Sequence, residues 1–351
     1  MIPYFILFFS ISILSILGET VKDFKITPKM IFVILIFFAG FRFMVGIDFP
    51  AYMRIYDYTI TKPEEVFVKE VGFIYLVKVL NFFNLDYQAL FFITVLITQI
   101  YFYKFIKYFS PAIYISILIY MCIAPYYFFT FNGVRQGIAI AIFAYSLHFI
   151  VERNSIKYYI HILFAAFIAH ATVLLMLPLY HVIYRHISML KKSFIVIASF
   201  AGGYFFNGLI SATPYAHFLT MSYNNISRSQ TVYLFFIIAI IIFLTEKKTK
   251  EFKYKSIIYN LNMFIVIIVG NAILQPIDIL YAVFLRMNNY FFIAYIILIP
   301  FLIQMIKNKN LRILSYILLI VLLFMYYAKT IVLNGEHHHL VPYTMGLDFV
   351  K

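Results

Sequence analysis

Arg42, Asp48 and Glu70 each stand at the edge of an apolar stretch, where an unpaired charge is costly and usually faces a partner or a pathway. A second polar group, Asn132, Arg135 and Gln136, interrupts apolar sequence further on, with Gly133 and Gly137 allowing close helix approach. His170 follows Ala165, Ala166 and Ala169, and is the side chain best able to exchange a proton near neutral pH. Arg286 begins the next-to-last apolar run. Together these residues offer guanidinium groups for an anionic leaving group and carboxylates or a histidine for a proton. Each also has a plainer reading: arginines that snorkel to headgroups, and a histidine that links helices by a hydrogen bond. Asp57, Glu64 and Glu65 read as solvated loop charge, and His148, His161, His181 and His186 as structural. His337, His338 and His339 lack ligand spacing on a defined element and are left unassigned.

The elements that must hold these residues are membrane helices. The chain has 351 residues, 64% hydrophobic and 12% charged, with 42 Phe and 31 Tyr. Soluble domains carry about a quarter charged residues, so this surface belongs in lipid, where a spanning segment satisfies its own backbone as a helix. Apolar runs long enough to cross are Met1–Gly18, Met30–Val45, Tyr87–Ile106, Pro111–Thr130, Gly137–Val151, Ser193–Ala212, Thr231–Thr245, Ser256–Gln275, Tyr290–Ile306 and Leu311–Ile331. The expected fold is an all-α polytopic membrane protein of about 10–12 transmembrane helices plus re-entrant or interfacial segments, one membrane domain over residues 1–351. Met1–Gly18 lacks a basic flank and a small-residue cleavage site and reads as a retained span.

The net charge of +14 does not indicate nucleic acid, because the basic residues fill short gaps between apolar runs rather than one face. Most of the 28 Lys and Arg fall in six such gaps, from Lys22–Lys29 to Lys307–Arg312, which the positive-inside rule assigns to the cytoplasm. Both termini then face outward, including a tail over 332–351, as do the polar loops 46–70 and 213–230, the latter carrying Tyr223, Asn224, Asn225 and Arg228. On that count Val71–Phe83 is re-entrant or interfacial, and Tyr158–Tyr184 dips in and turns near His170. Otherwise both are ordinary spans and the charge rule fails locally. The one cysteine, Cys122, reads as a small core residue. No phosphate loop, Gly-x-Gly-x-x-Gly, His-Glu-x-x-His or Cys-x-x-Cys is present, against nucleotide-driven transport and structural zinc.

The string Gly40-Phe-Arg42-Phe-Met-Val-Gly46-Ile-Asp48-Phe-Pro-Ala-Tyr52 resembles the Gly-x-Arg-x-x-x-Gly-x-Asp-Tyr-x-x-Tyr pattern of EpsG-type exopolysaccharide polymerases. Glu70-Val-Gly72-Phe73, Asn132-Gly-Val-Arg135-Gln136-Gly-Ile-Ala139, His170-Ala-Thr and Arg286 with Tyr290-Phe291 are similar to that family's later motifs and keep their order. Phe49 stands where the family has Tyr, so no hydroxyl is needed there.

The resemblance implies a GT-C-like polymerase/ligase architecture and Wzy-type polymerisation of O-antigen, capsule or exopolysaccharide repeat units. A growing glycan would pass from undecaprenyl pyrophosphate to an incoming lipid-linked unit on the outer face of the bacterial inner membrane. Arg135 and Arg286 would hold pyrophosphate, with Asn132, Gln136, Tyr52, Tyr290 and Arg228 lining the substrate site. Asp48, Glu70 or His170 would act as base or orient the sugar, and Arg42 could hold Asp48 ionised. Arginine supplies bidentate donors to a phosphate, so the transfer needs no metal and no cofactor is expected. Partners would be the lipid-linked donor and acceptor, membrane lipid and a chain-length regulator protein, with no nucleic acid. An O-antigen ligase and a lipid-linked-oligosaccharide flippase are the rival readings.

Overall fold

The computed structural model describes residues 1–21, 26–124, 126–211, 230–248, 253–275 and 278–346. Arg228 and its neighbours in the 213–230 loop lie outside them. The helices are α1 (Ile2–Thr20), α2 (Pro28–Gly40), α3 (Phe49–Thr61), α4 (Val71–Phe82), α5 (Tyr87–Phe109), α6 (Ile113–Cys122), α7 (Val134–Val151), α8 (Ser155–Ile168), α9 (Leu179–Val182), α10 (Met189–Ser211), α11 (Gln230–Thr245), α12 (Lys255–Leu274), α13 (Asp278–Phe292), α14 (Ala294–Gln304) and α15 (Lys309–Ala328). The protein is an all-α, multi-pass membrane protein.

Among the described residues, five helices are long and apolar enough to cross a bilayer, or six if Leu280–Phe292 and Ala294–Gln304 form one bent span. That is fewer than the apolar runs of the sequence. The difference lies in how the runs are broken. Met30–Val45 yields only the 13 residues of α2, because the chain turns at Phe41 and Arg42. Pro111–Thr130 yields the 10 residues of α6, followed by an irregular stretch and a 3-10 turn at Tyr127–Thr130.

The two awkward stretches are short elements. The 12 residues of α4 rise about 18 Å, well under the ~30 Å hydrocarbon core. The chain leaves α8 at Ala169 and turns at His170 into a 3-10 segment, Ala171–Met176, which folds back along α8. The Tyr158 hydroxyl donates to the Met176 carbonyl at 2.6 Å and ties the two legs together. The polar stretch 46–70, expected as a loop, contains α3. Its buried Phe49, Tyr52, Ile55, Tyr56 and Thr59 recur at helical spacing, and that apolar stripe outweighs the polar residues between them.

The chain divides into two compact units, Met1–Leu177 with Ile296–Lys351 and Pro178–Tyr295. In the first, α7 packs on α5 and α8, and α5 on α2. Gly137, Ala139, Ala141 and Ala144 keep α7 thin enough for this. Within the bundle Tyr120 donates to Gln99 Oε1 at 3.0 Å, and Ser116 to the Ile296 carbonyl at 2.6 Å. In the second unit α12 packs against α10, α11 and α13. Its buried Asn260 donates to the carbonyls of Ile183 and Arg185 at 2.8 and 2.9 Å, and Asn262 to that of Ala239 at 3.0 Å.

Candidate functional site

Two polar constructions in the first unit gather the motif residues. The first is the turn after α2. Arg42 is fully buried there: Nη1 donates to the Ala39 carbonyl at 2.6 Å and Nε to that of Val45 at 3.3 Å. Its guanidinium carbon lies 4.7 Å from the Phe91 ring centroid and 5.0 Å from that of Phe131, so two aromatic faces replace its hydration. The turn needs glycine at 46, where φ is +103° and a Cβ would stand 2.5 Å from the Phe131 carbonyl oxygen. Gln88 closes the turn from α5, donating to the carbonyls of Gly40 at 2.8 Å and Arg42 at 3.2 Å.

A strap formed by residues 338–346 completes this turn. Phe43 N–H donates to the Thr344 carbonyl at 2.9 Å, Gly46 N–H to that of His339 at 2.7 Å, and Gly346 N–H to that of Phe41 at 2.8 Å. Tyr343 stacks on Phe38 with ring centroids 4.3 Å apart, and its hydroxyl donates to the Phe38 carbonyl at 2.5 Å. The stretch expected as a tail is thus built into the unit as far as Gly346, and the unassigned histidines contribute through their backbone.

The second construction is the start of α7. Gly133, at φ +80°, donates its N–H to Asp48 Oδ2 at 2.5 Å. Asp48 therefore caps α7, complementing the positive end of that helix, although it stands before α3 in sequence. Asn132 spans the two constructions: its Oδ1 accepts from the Asp48 N–H at 3.4 Å and its Nδ2 donates to the His338 carbonyl at 3.2 Å. The Tyr52 hydroxyl accepts the Arg135 N–H at 3.1 Å, one of the amides that a helix start leaves without an internal partner.

Arg135 forms an ion pair with Glu70 through Nη1 and Oε2. The two side chains are only 19% and 10% exposed, so the pair is largely shielded. Glu70 Oε1 also accepts from the Ala171 N–H at 3.4 Å, which brings the His170 turn to the same place. There His170 Nδ1 meets the Thr172 hydroxyl at 2.8 Å and its N–H at 3.3 Å. Gly72, two residues after Glu70, allows α4 to approach the Phe167 ring and carbonyl of α8, which a Cβ would strike.

Segments carrying Arg42, Asp48, Tyr52, Glu70, Asn132, Arg135, Gln136 and His170 thus converge within one unit. Arg42 does not hold Asp48. Among the described residues no ion pair joins these two side chains, and Arg135 pairs with Glu70. The carbonyls of its own turn capture Arg42, while Asp48 is committed to Gly133. Gln136 is half-buried on the first turn of α7. Arg286, exposed, and Tyr290, buried, lie on α13 in the second unit. Sequence reasoning misses Gln88 and Phe91, and it names the strap's His338 and His339 without a role. Gln88, a polar residue opening an apolar run, was the only local signal among them.

The EpsG family model matches residues 25–345 of the chain. No curated protein and no solved structure matches it.

Proposed function

We propose, from the premise that the chain belongs to the EpsG family of Wzy-type polymerase-like membrane proteins, that it polymerises undecaprenyl-pyrophosphate-linked oligosaccharide repeat units into a cell-surface polysaccharide. The observation that carries this reading is the Arg135–Glu70 pair at the meeting point of four motif segments. A guanidinium there can hold a pyrophosphate, and the adjacent carboxylate and histidine can take a proton from an acceptor hydroxyl. Pyrophosphate is a good leaving group once its charge is held, so no separate general acid is required.

Asp48 supports the site by fixing the start of α7, and Asn132 by joining that start to the strap. Arg286, on α13 of the second unit, carries the pyrophosphate-binding role that its motif implies, and its own substitution tests that role. The reaction takes place at the outer face of the bacterial inner membrane, between a lipid-linked donor and a lipid-linked acceptor. A chain-length regulator would act on its product.

A deletion strain's surface glycan ladder tests the reading. Loss of a polymerase leaves single repeat units on the surface. Loss of a flippase leaves none, and loss of a ligase leaves long chains off their lipid A core. Either of the last two patterns overturns the proposal.

A further inference from the structure

The proposed reaction asks Arg135 to hold a diphosphate, yet the structure shows the same guanidinium holding Glu70. The arrangement suits an exchange. Glu70 reaches Arg135 through Nη1, while the buried Arg135 Nε has no hydrogen-bond partner among the described residues. A planar group with donors to spare is able to take a second anion, and phosphate oxygens match two of its N–H groups at once. Glu70 in turn keeps an anchor independent of the arginine, the Ala171 N–H on Oε1 at 3.4 Å. It therefore stays in place when the pair opens.

We propose that Glu70 and Arg135 form a latch that the donor's diphosphate opens, and that the released Glu70 is the base for the acceptor hydroxyl. This rests on the polymerase reading above and assigns the base among the three groups it left open. The other two are occupied: Asp48 receives the Gly133 N–H, and His170 Nδ1 engages Thr172.

When the donor binds, the guanidinium moves from carboxylate to diphosphate. Glu70, no longer neutralised, accepts the proton of the acceptor hydroxyl as that oxygen bonds to the donor's anomeric carbon. The bond from that carbon to the diphosphate breaks, and its electron pair leaves on the diphosphate oxygen, held by Arg135. Glu70 then gives its proton to water, and the pair closes as undecaprenyl diphosphate departs. The base thus exists only while a donor is bound, so the donor binds productively before the acceptor.

The test uses the full-length protein in lipid nanodiscs, with inorganic pyrophosphate and undecaprenyl diphosphate as binding probes and a lipid-linked repeat unit as substrate. Glu70→Gln removes the competing anion but keeps a group that accepts from Ala171. The latch requires it to bind both probes about tenfold more tightly while transfer falls at least ~100-fold. Glu70→Asp, with a shortened carboxylate, should show tighter binding with transfer only partly lost, and it covers the case in which Glu70→Gln fails to fold. Arg135→Ala should lose probe binding. Unchanged or weaker binding by both Glu70 variants, with binding lost in Arg135→Ala, overturns the latch and leaves the polymerase reading standing. Binding and transfer both intact in Arg135→Ala overturn the polymerase reading and the latch with it.

Discussion

Arg42 and Arg135 come from neighbouring motifs of one unit, and the fold treats them in opposite ways. Arg42 is sealed between two aromatic rings and bonded to carbonyls of its own turn, three residues away on either side. Arg135 is partly exposed and faces a carboxylate from another segment, while each guanidinium keeps one nitrogen, Arg42 Nη2 and Arg135 Nε, without a hydrogen-bond partner among the described residues. The same side chain is a construction piece in one case and, in the proposed reaction, a reagent in the other. A buried guanidinium satisfied by backbone defines a turn; one satisfied by a movable anion is able to change partners.

The contrast breaks most readily at Arg42. Arg42→Ala leaves buried carbonyls without their donor and a space between Phe91 and Phe131, a loss of about 3–5 kcal/mol. A thermal unfolding midpoint in detergent equal to wild type would remove it from the construction class. Arg135→Ala is expected to keep that midpoint within a few degrees while glycan transfer falls about 10²–10³-fold, the usual cost of one donor to a developing anion. Transfer by the purified protein decides it, and a large drop in stability with modest loss of transfer would make the two arginines alike.

Gly46→Ala comes next, at about 1–3 kcal/mol, because it combines a left-handed backbone with contact against the Phe131 carbonyl. The same substitution at Gly202, where a Cβ meets nothing within 4 Å, is the control. Asp48→Asn, which keeps an oxygen acceptor for Gly133, should cost less stability than Asp48→Ala by about 0.5–1 kcal/mol. Equal unfolding midpoints for the two would refute the capping role.

The smallest effect is a pH dependence of the strap. Burial, with His337 beside it, holds the His338 imidazole below the ordinary histidine range. As pH falls below about 6.5 the unfolded strap takes up this proton before the folded one, so stability is lost toward acid. Hydrogen exchange at the amides of Phe43 and Gly46, which donate into the strap, should rise as acid is added relative to a His338→Asn variant.

Membrane residence and the motif residues were legible because each rests on local sequence, on apolar length in the first case and on fixed spacing in the second. Gly46, Asp48 and Tyr52 stand in one string, but the helix joining them goes against the loop expected over 46–70, because scattered charges hide the helical spacing of Phe49, Tyr52, Tyr56 and Thr59. What sequence spacing could not carry was pairing between distant segments. Arg42 and Asp48 are six positions apart and look like partners, yet one points into the turn and the other reaches a helix start 85 positions on. Glu70 and Arg135, 65 apart, show no local sign of their contact. Nor do the strap residues, whose role lies in backbone carbonyls that any side chain would present.

The strap also sets an order of events during synthesis. The Tyr4 hydroxyl donates to the carbonyl of Leu340, 336 positions later, and the amides of Phe43 and Gly46 wait 301 and 293 positions for theirs. Helices can enter the membrane one after another as the ribosome makes them, but the Arg42 turn stays open until the residues around His339 and Thr344 have been translated. A nascent chain stalled before that point would hold every motif and lack a finished Arg42 turn, so the fold around the motifs closes only after the strap has been made.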